Sequence, residues 1–357
     1  MNKIIETDIK DIIADELIPW EKFRNSSVLI TGATGMLPIY MAYTFLHLNK
    51  VYNYKIHLYA LVRNKERGLD YFADWLEDEN FTLIIQDVAK AIDIDVPINY
   101  IIHAASQASP KYYSIDPVGT INANVLGTIN TLELARKQSD FKGYLYFSSG
   151  EIYGVVSPEY FPFSEDVYGH INLLQVRTCY CESKRMGEQL CVAYKHQYNI
   201  PTNIVRIFHT YGPYLRLDDR RVFSDFVNNI IHNEDIILKT EGTAERMFCY
   251  VTDAVRAYFL VMLSGEDQAY NVANINETVS VRALAERLVN LFPEKGLKVR
   301  VTLNKNDIVT NAMRSPIEIR MPDISRISSL GWKPRITIEE GFKKVVKFQE
   351  LLNDKNI

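Results

Sequence analysis

Cysteine is scarce: Cys179, Cys181, Cys191 and Cys249 are the only four in 357 residues. Their spacing makes neither a disulfide framework nor a zinc site, so no metal is expected. Long apolar runs are missing as well. The most apolar early stretch, Met36 to Leu48, is interrupted by Pro38, Thr44 and His47, and a membrane span needs ~18 residues. Positive charge is not in excess. Forty Lys and Arg against 44 Asp and Glu give a net charge of −4, which makes no electrostatic case for nucleic acid. The acidic start (Glu6, Asp8, Asp11) is unlike a signal peptide. These absences predict a reduced, cytoplasmic protein with no membrane and no nucleic-acid partner. What is abundant excludes disorder as the main theme: 47% of residues are hydrophobic and 11% aromatic. The length suits two domains, or one large α/β unit with an added lobe, at about 150 residues per domain.

Residues 1–25 read as a charged helical lead-in, with Ile9, Ile12, Ile13 and Leu17 at helical spacing. Short apolar, β-branched runs then predict strands at Ser27–Thr31, Lys55–Val62, Phe81–Gln86, Tyr100–His103, Gly143–Ser148 and Ile204–Phe208. Helical patterns lie between them at Met36–Leu48 and Ile121–Arg136. That alternation predicts a Rossmann-type, doubly wound parallel sheet with helices on both faces, over residues 26–212. Beyond Gly212 the pattern changes. Tyr270–Ala273, a helix at Val281–Phe292 and a strand near Val299–Leu303 predict a smaller mixed α/β lobe over 213–357, interleaved with the first domain.

The first strand runs into Thr31-Gly32-Ala33-Thr34-Gly35-Met36-Leu37-Pro38. Glycines between a strand and a helix let backbone amides approach a pyrophosphate, with the helix N-terminus facing its charge. Pro38 stands where a third glycine would allow close helix–sheet packing. The second strand should end in an acid that grips a ribose hydroxyl. Instead Arg63 and Lys65 follow it, which leaves NADP open beside NAD. Asp87 and Val88 follow the third strand, placed to meet an adenine. Tyr180 and Lys184, four apart in Tyr-Cys-Glu-Ser-Lys, share one helix face. A nearby ammonium favours a phenolate and makes tyrosine usable as a base. Upstream, Ser148-Ser149-Gly150-Glu151 puts a hydroxyl at the end of a central strand, where it can bond the same substrate oxygen.

With these motifs the sequence resembles the extended short-chain dehydrogenase/reductase family, in its nucleotide-sugar branch, over roughly residues 26–345. TGATG at 31–35, HAASQASP at 103–110, NVLGT at 124–128, SSGEIYG at 148–154 and YCESK at 180–184 carry the likeness. RIFHTYGP at 206–213, FCYVTDAV at 248–255 and LGWKPRITIEEGF at 330–342 extend it. SEDVYGHIN at 164–172, the Arg177-Thr178-Cys179-Tyr180 run and DDRRVFSDFV at 218–227 look most like UDP-glucuronate decarboxylases.

The resemblance implies that Tyr180 takes the C4-hydroxyl proton of a sugar while hydride leaves C4 for a nicotinamide. Lys184 then lowers the phenol's pKa and holds the nicotinamide ribose, Ser149 bonds the C4 oxygen, and Glu151 serves as a second acid or base. It implies an NAD site from Gly32, Thr34, Gly35, Met36, Leu37, Arg63, Asp87, Val88, Ala104, Ala105, Ser106, Asn124, Tyr180 and Lys184. Ser109, Gly150, Arg177, His209, Arg221 and Arg246 are implied on the side of a UDP-linked sugar, in a homodimer. Two departures stand out. Gly150 replaces the serine of decarboxylases and the aspartate of 4,6-dehydratases, and His209 replaces an asparagine. Oxidation at C4 serves decarboxylation, 4-epimerisation and dehydration alike. Decarboxylation is the first reading and epimerisation the second, with a catalytically silent nucleotide-sugar-binding protein of the same fold as the non-enzyme alternative.

Overall fold

The computed structural model describes residues 1–219, 221–266, 268–302 and 321–354. Its centre is a sheet of β1 (Ser27–Thr31), β2 (His57–Val62), β3 (Phe81–Ile85), β4 (Tyr100–His103), β5 (Gly143–Ser149), β6 (Thr202–Ile207) and a seventh strand, Ala269–Val272. All neighbours run parallel, in the order β3-β2-β1-β4-β5-β6 and then Ala269–Val272. Around the sheet lie α1 (Lys3–Ile13), α2 (Met36–Tyr52), α3 (Lys65–Tyr71), α4 (Pro110–Ile115), α5 (Pro117–Arg136) and α6 (Cys179–Tyr198). Both faces are covered. Val28 and Ile30 of β1 enter one core cluster and Leu29 the other. Burial on both sides is why such strands are unbroken apolar runs. The order reverses between β1 and β4, and a crevice opens beyond their carboxyl ends there.

Most predicted elements appear where the pattern put them, and the differences have local causes. Lys55 falls outside β2 because its φ is +55°, in the left-handed region that a strand does not use. Helix α2 continues past Leu48 until Asn53 caps it in the left-handed region. The seventh strand, read from sequence as part of the lobe, pairs with β6 in the main sheet. It is reached through the helix Val251–Ser264, whose residues are buried almost throughout. The small lobe carries the helices Val222–Ile231 and Val281–Leu291 and short strand pairs, Glu245–Met247 with Thr278–Ser280 and Ile236–Leu238 with Val299–Val301. Leu303, in the last predicted strand, lies outside the described residues.

The lead-in is not peripheral. Ile5, Ile9 and Ile12 are fully buried, whereas Leu17, past the end of α1, is exposed and leaves the predicted stripe. The buried Asp8 carboxylate accepts from the hydroxyls of Tyr40 (2.9 Å) and Tyr250 (2.6 Å) and from Lys344 Nζ (2.6 Å). Asp15 pairs with Arg256 at 2.7 Å and Arg335 at 3.1 Å. Asp253 bonds Arg256 and accepts the backbone N–H groups of Arg335 and Ile336, both at 2.9 Å. These groups tie α1 to α2 and to the C-terminal helix Ile338–Asn353.

Candidate active site

A cleft of about 560 Å³ opens at the reversal of strand order. Its floor begins with the turn after β1. Gly32 has φ +66°, and a Cβ there would stand 2.8 Å from the Ala105 Cα, so only glycine fits this close approach. Gly35 N–H bonds Gly32 C=O at 2.8 Å and Gly35 caps α2 in an extended conformation. The first-turn amides of Met36 and Leu37 have no acceptor inside the helix. Pro38 sits in the same turn, where its missing N–H breaks no helical bond, so the absent third glycine leaves the helix start intact. Ala104, Ala105 and Ser106 form the opposite lip, and the buried Ser106 Oγ has no hydrogen-bond partner among the described residues.

Thr34, Arg63, Asp87 and Val88 also line the cleft. Arg67, one turn into α3, is on the wall beside Arg63, and Lys65 is not. The helical turn explains the exchange: Asn64 caps α3 by accepting from Arg67 N–H at 2.7 Å, which fixes which side chains of that turn face inward. Asn124 is buried behind the wall and donates to Ser183 Oγ at 2.8 Å, so it supports the cleft without lining it.

The strand β5 ends at Ser149, and α6 lays Tyr180 and Lys184 one turn apart beside it. Burial pushes the Tyr180 phenol up to about 12, Glu151 adds to that, and the Ser149 hydroxyl and the Arg221 charge oppose it. Lys184 is wholly buried. Its Nζ donates to Phe147 C=O at 2.6 Å and lies 5.0 Å over the Tyr146 ring. Burial brings its ammonium down to about 7. Lys184 lies one turn from Tyr180 on α6, and the Ser149 hydroxyl, bonded to the Tyr180 phenol, favours its phenolate. Tyr113 of α4 stacks on Tyr180 with ring centroids 4.8 Å apart and planes 18° apart.

Towards the other end, Glu151 and Arg177 form an ion pair at 3.0 Å, with both side chains largely buried. Arg221 pairs with Asp219, and Ser109 Oγ donates to the Asp219 carbonyl at 3.0 Å. Arg246 and His209 line the same end beside Phe248. Gly150 does not line the cleft. Its Cβ position points at the Phe208 ring, 2.7 Å from the nearest carbon, and its φ is not positive. Residue 150 therefore bears on the cleft through Phe208, and the expectation that Gly150 lies against the sugar is corrected. Tyr112, Tyr113, Gln107, Arg67 and Phe208 were not singled out in the sequence. Gln107 and Phe208 fall inside the HAASQASP and RIFHTYGP motifs, and the Tyr112-Tyr113 pair follows Pro110 by two residues. Burial raises the thiols of all four cysteines, that of Cys181 to about 11 and those of Cys191 and Cys249 well above the usual thiol range. No described helix is long and apolar enough to cross a membrane.

The chain is similar over most of its length to proteins of known activity. UDP-glucuronic acid decarboxylase 6 of Arabidopsis thaliana is 33% identical over 319 residues, spanning 89% of this chain and 87% of that protein. UDP-glucuronic acid decarboxylase 1 of Xenopus tropicalis is 32% identical over 326 residues, spanning 90% and 71%. Among solved structures, a UDP-glucuronic acid 4-epimerase from Bacillus cereus, in complex with UDP-glucuronic acid and NAD, superposes with a TM-score of 0.75. It is 20% identical and covers 91% of this chain and 99% of that one. A dTDP-glucose 4,6-dehydratase from Streptomyces venezuelae gives a TM-score of 0.77 at 18% identity, covering 92% and 98%. The profile of the NAD dependent epimerase/dehydratase family matches residues 28–273. This chain belongs to that family.

Proposed function

We propose that this protein decarboxylates a UDP-linked uronic acid through oxidation at C4 of the sugar. The observation that carries the reading is one continuous cleft that joins the Gly32 cradle to the Ser149–Tyr180 pair and then to Arg177. The groups present fit a dinucleotide. The cradle admits no Cβ at Gly32, and the buried Ser106 Oγ faces a cleft with a hydrogen bond to spare. Gly32, Thr34, Gly35, Met36 and Leu37 would hold the pyrophosphate, with Arg63, Asp87 and Val88 at the adenosine end and Lys184 at the nicotinamide ribose. When bound, NAD accepts a hydride from C4 and returns it.

The chain's own residues do the rest. Tyr180 Oη takes the C4-hydroxyl proton, and Ser149 Oγ holds the same oxygen. Arg177 supplies the charge that a uronate carboxylate requires, and Glu151 fixes its guanidinium. With C4 at the ketone level, the bond from C5 to the carboxylate breaks. CO₂ leaves and the electron pair passes into the enolate of C4 and C5. A proton delivered at C5 from solvent, relayed through the Glu151 carboxylate, restores the ketone, and Tyr180 returns its proton to the C4 oxygen. Arg221 and Arg246 bind the diphosphate.

On this reading residues 26–212 bind the dinucleotide, and 213–357 mainly the nucleotide sugar. The protein acts as a cytoplasmic homodimer, for which exposed Ile121 and Leu126 on α5 and Met186 and Val192 on α6 offer apolar surface. Incubation with UDP-glucuronate and other nucleotide sugars, followed by mass spectrometry, tests the proposal. Loss of one CO₂ from UDP-glucuronate is expected. Unchanged mass with altered sugar couplings in NMR would replace decarboxylation by 4-epimerisation.

A further inference from the structure

We propose that Tyr113 is a positioning residue: its ring is a fixed plate that holds Tyr180 flat against it and turns the Tyr180 hydroxyl towards Ser149. This rests on Tyr180 being the base. Tyr113 is held at two points. Its backbone belongs to α4, and its hydroxyl donates to the Ala108 carbonyl at 2.9 Å, on the loop that continues the Ser106 lip. Both rings are nearly inaccessible, Tyr113 at 3% exposure and Tyr180 at 7%. A near-parallel contact at 4.8 Å lays the two rings face to face with an offset, which an edge contact would not do. The Tyr180 ring thus has water excluded from one face, and its rotation about the ring axis is blocked by a neighbour that cannot itself swing. A base held this way meets substrate in one orientation, and small misplacements of catalytic groups are costly.

Tyr113 does not compete as a base, because burial keeps its own phenol protonated and donating to Ala108. The other groups facing Tyr180 are Ser149 and Glu151 from the end of β5, Arg221 across the cleft, and Cys181 on its own helix. Glu151 pairs with Arg177, and Lys184 follows Tyr180 by one turn of α6. The Tyr113 ring is the one stacked on Tyr180 among the described residues.

Two variants separate the plate from its anchor. Tyr113→Leu keeps apolar bulk but removes the plate, and kcat should fall about 10–100-fold with KM little changed. Tyr113→Phe keeps the plate and should stay within about threefold of the parent. Fluorotyrosine incorporated throughout gives a readout independent of turnover. The fluorine NMR resonance missing from Tyr180→Phe reports Tyr180, and in Tyr113→Leu its titration midpoint should fall by about one pH unit as water reaches the ring. An unmoved midpoint in Tyr113→Leu, or equal losses of kcat in both variants, would overturn the proposal. If Tyr180→Phe keeps full activity, the base assignment is what fails, and the fluorine titration still decides whether Tyr113 shields Tyr180. Thermal melting of both variants shows whether each is folded.

Discussion

Two buried polar regions of this molecule obey opposite rules. In the clamp under α1, every acid is surrounded by donors: Asp8 by two phenols and an ammonium, Asp253 by a guanidinium and two amides. In the cleft, groups just as buried are left under-satisfied. Among the described residues Lys184 Nζ has one acceptor, a carbonyl, Ser106 Oγ has no partner, and Tyr180 is shifted against its own ionisation. Burying a charge is tolerable when partners replace its water, as in the clamp. Where partners are withheld, the protonation states are poised for a ligand or a proton transfer. The clamp holds the fold, and the cleft holds chemistry.

Substitutions can break that contrast from either side. The largest effect is expected in the cleft. Tyr180→Phe should lower kcat by about 10²–10⁴-fold, the range for a general base, while the melting temperature and bound nucleotide stay unchanged. More than a tenth of parental activity would mean that Tyr180 is not the base. In the clamp the loss should be one of stability. Asp253→Ala leaves the buried Arg256 with Asp15 and the Lys333 carbonyl and strips two backbone amides of their acceptor, at a cost of about 3–5 kcal/mol by chemical denaturation. Turnover per folded molecule should not change.

His103 lies between the two kinds of region and has the smallest effect. Ala105 N–H donates to Thr31 Oγ1 at 3.2 Å, so the Thr31 hydroxyl proton is available to His103 Nδ1 at 2.8 Å. Burial lowers its imidazole to about 3. The unfolded chain takes up a proton below about 6.5 that the folded chain refuses, so stability falls as pH drops below that value. His103 should account for about 2 kcal/mol of loss by pH 5, and His103→Asn should flatten that share of the acid limb. An acid limb identical in both proteins would show that the imidazole is not held neutral.

The same contrast marks what the sequence could say. Cleft residues were legible where chemistry dictates both residue type and spacing, as with Gly32 and Gly35, Ser149, and Tyr180 with Lys184. The strands were legible because burial on both faces leaves an unbroken apolar run. Helix Val251–Ser264 was not assigned, since a helix buried all round loses the one-sided stripe that reveals it. The clamp was invisible because Asp8 and Lys344 meet only through the fold; in sequence, Asp8 reads as one more charge on a polar lead-in. Tyr113 was passed over for a similar reason: its partner is 67 positions along the chain. The family position of Gly150 suggests the sugar's side, whereas its backbone turns the Cβ direction towards Phe208 and leaves it off the cleft wall, which no sequence pattern displays.

If Tyr180 and its neighbours run a closed redox cycle at C4 around the loss of CO₂, UDP-glucuronate deuterated at C4 reports it, with the product analysed by mass spectrometry and NMR. The expected product is a UDP-pentose that has lost CO₂ and still carries deuterium at C4, because the hydride that leaves is the hydride that returns. A decarboxylated product with C4 deuterium lost to solvent, or no decarboxylated product at all, would contradict it.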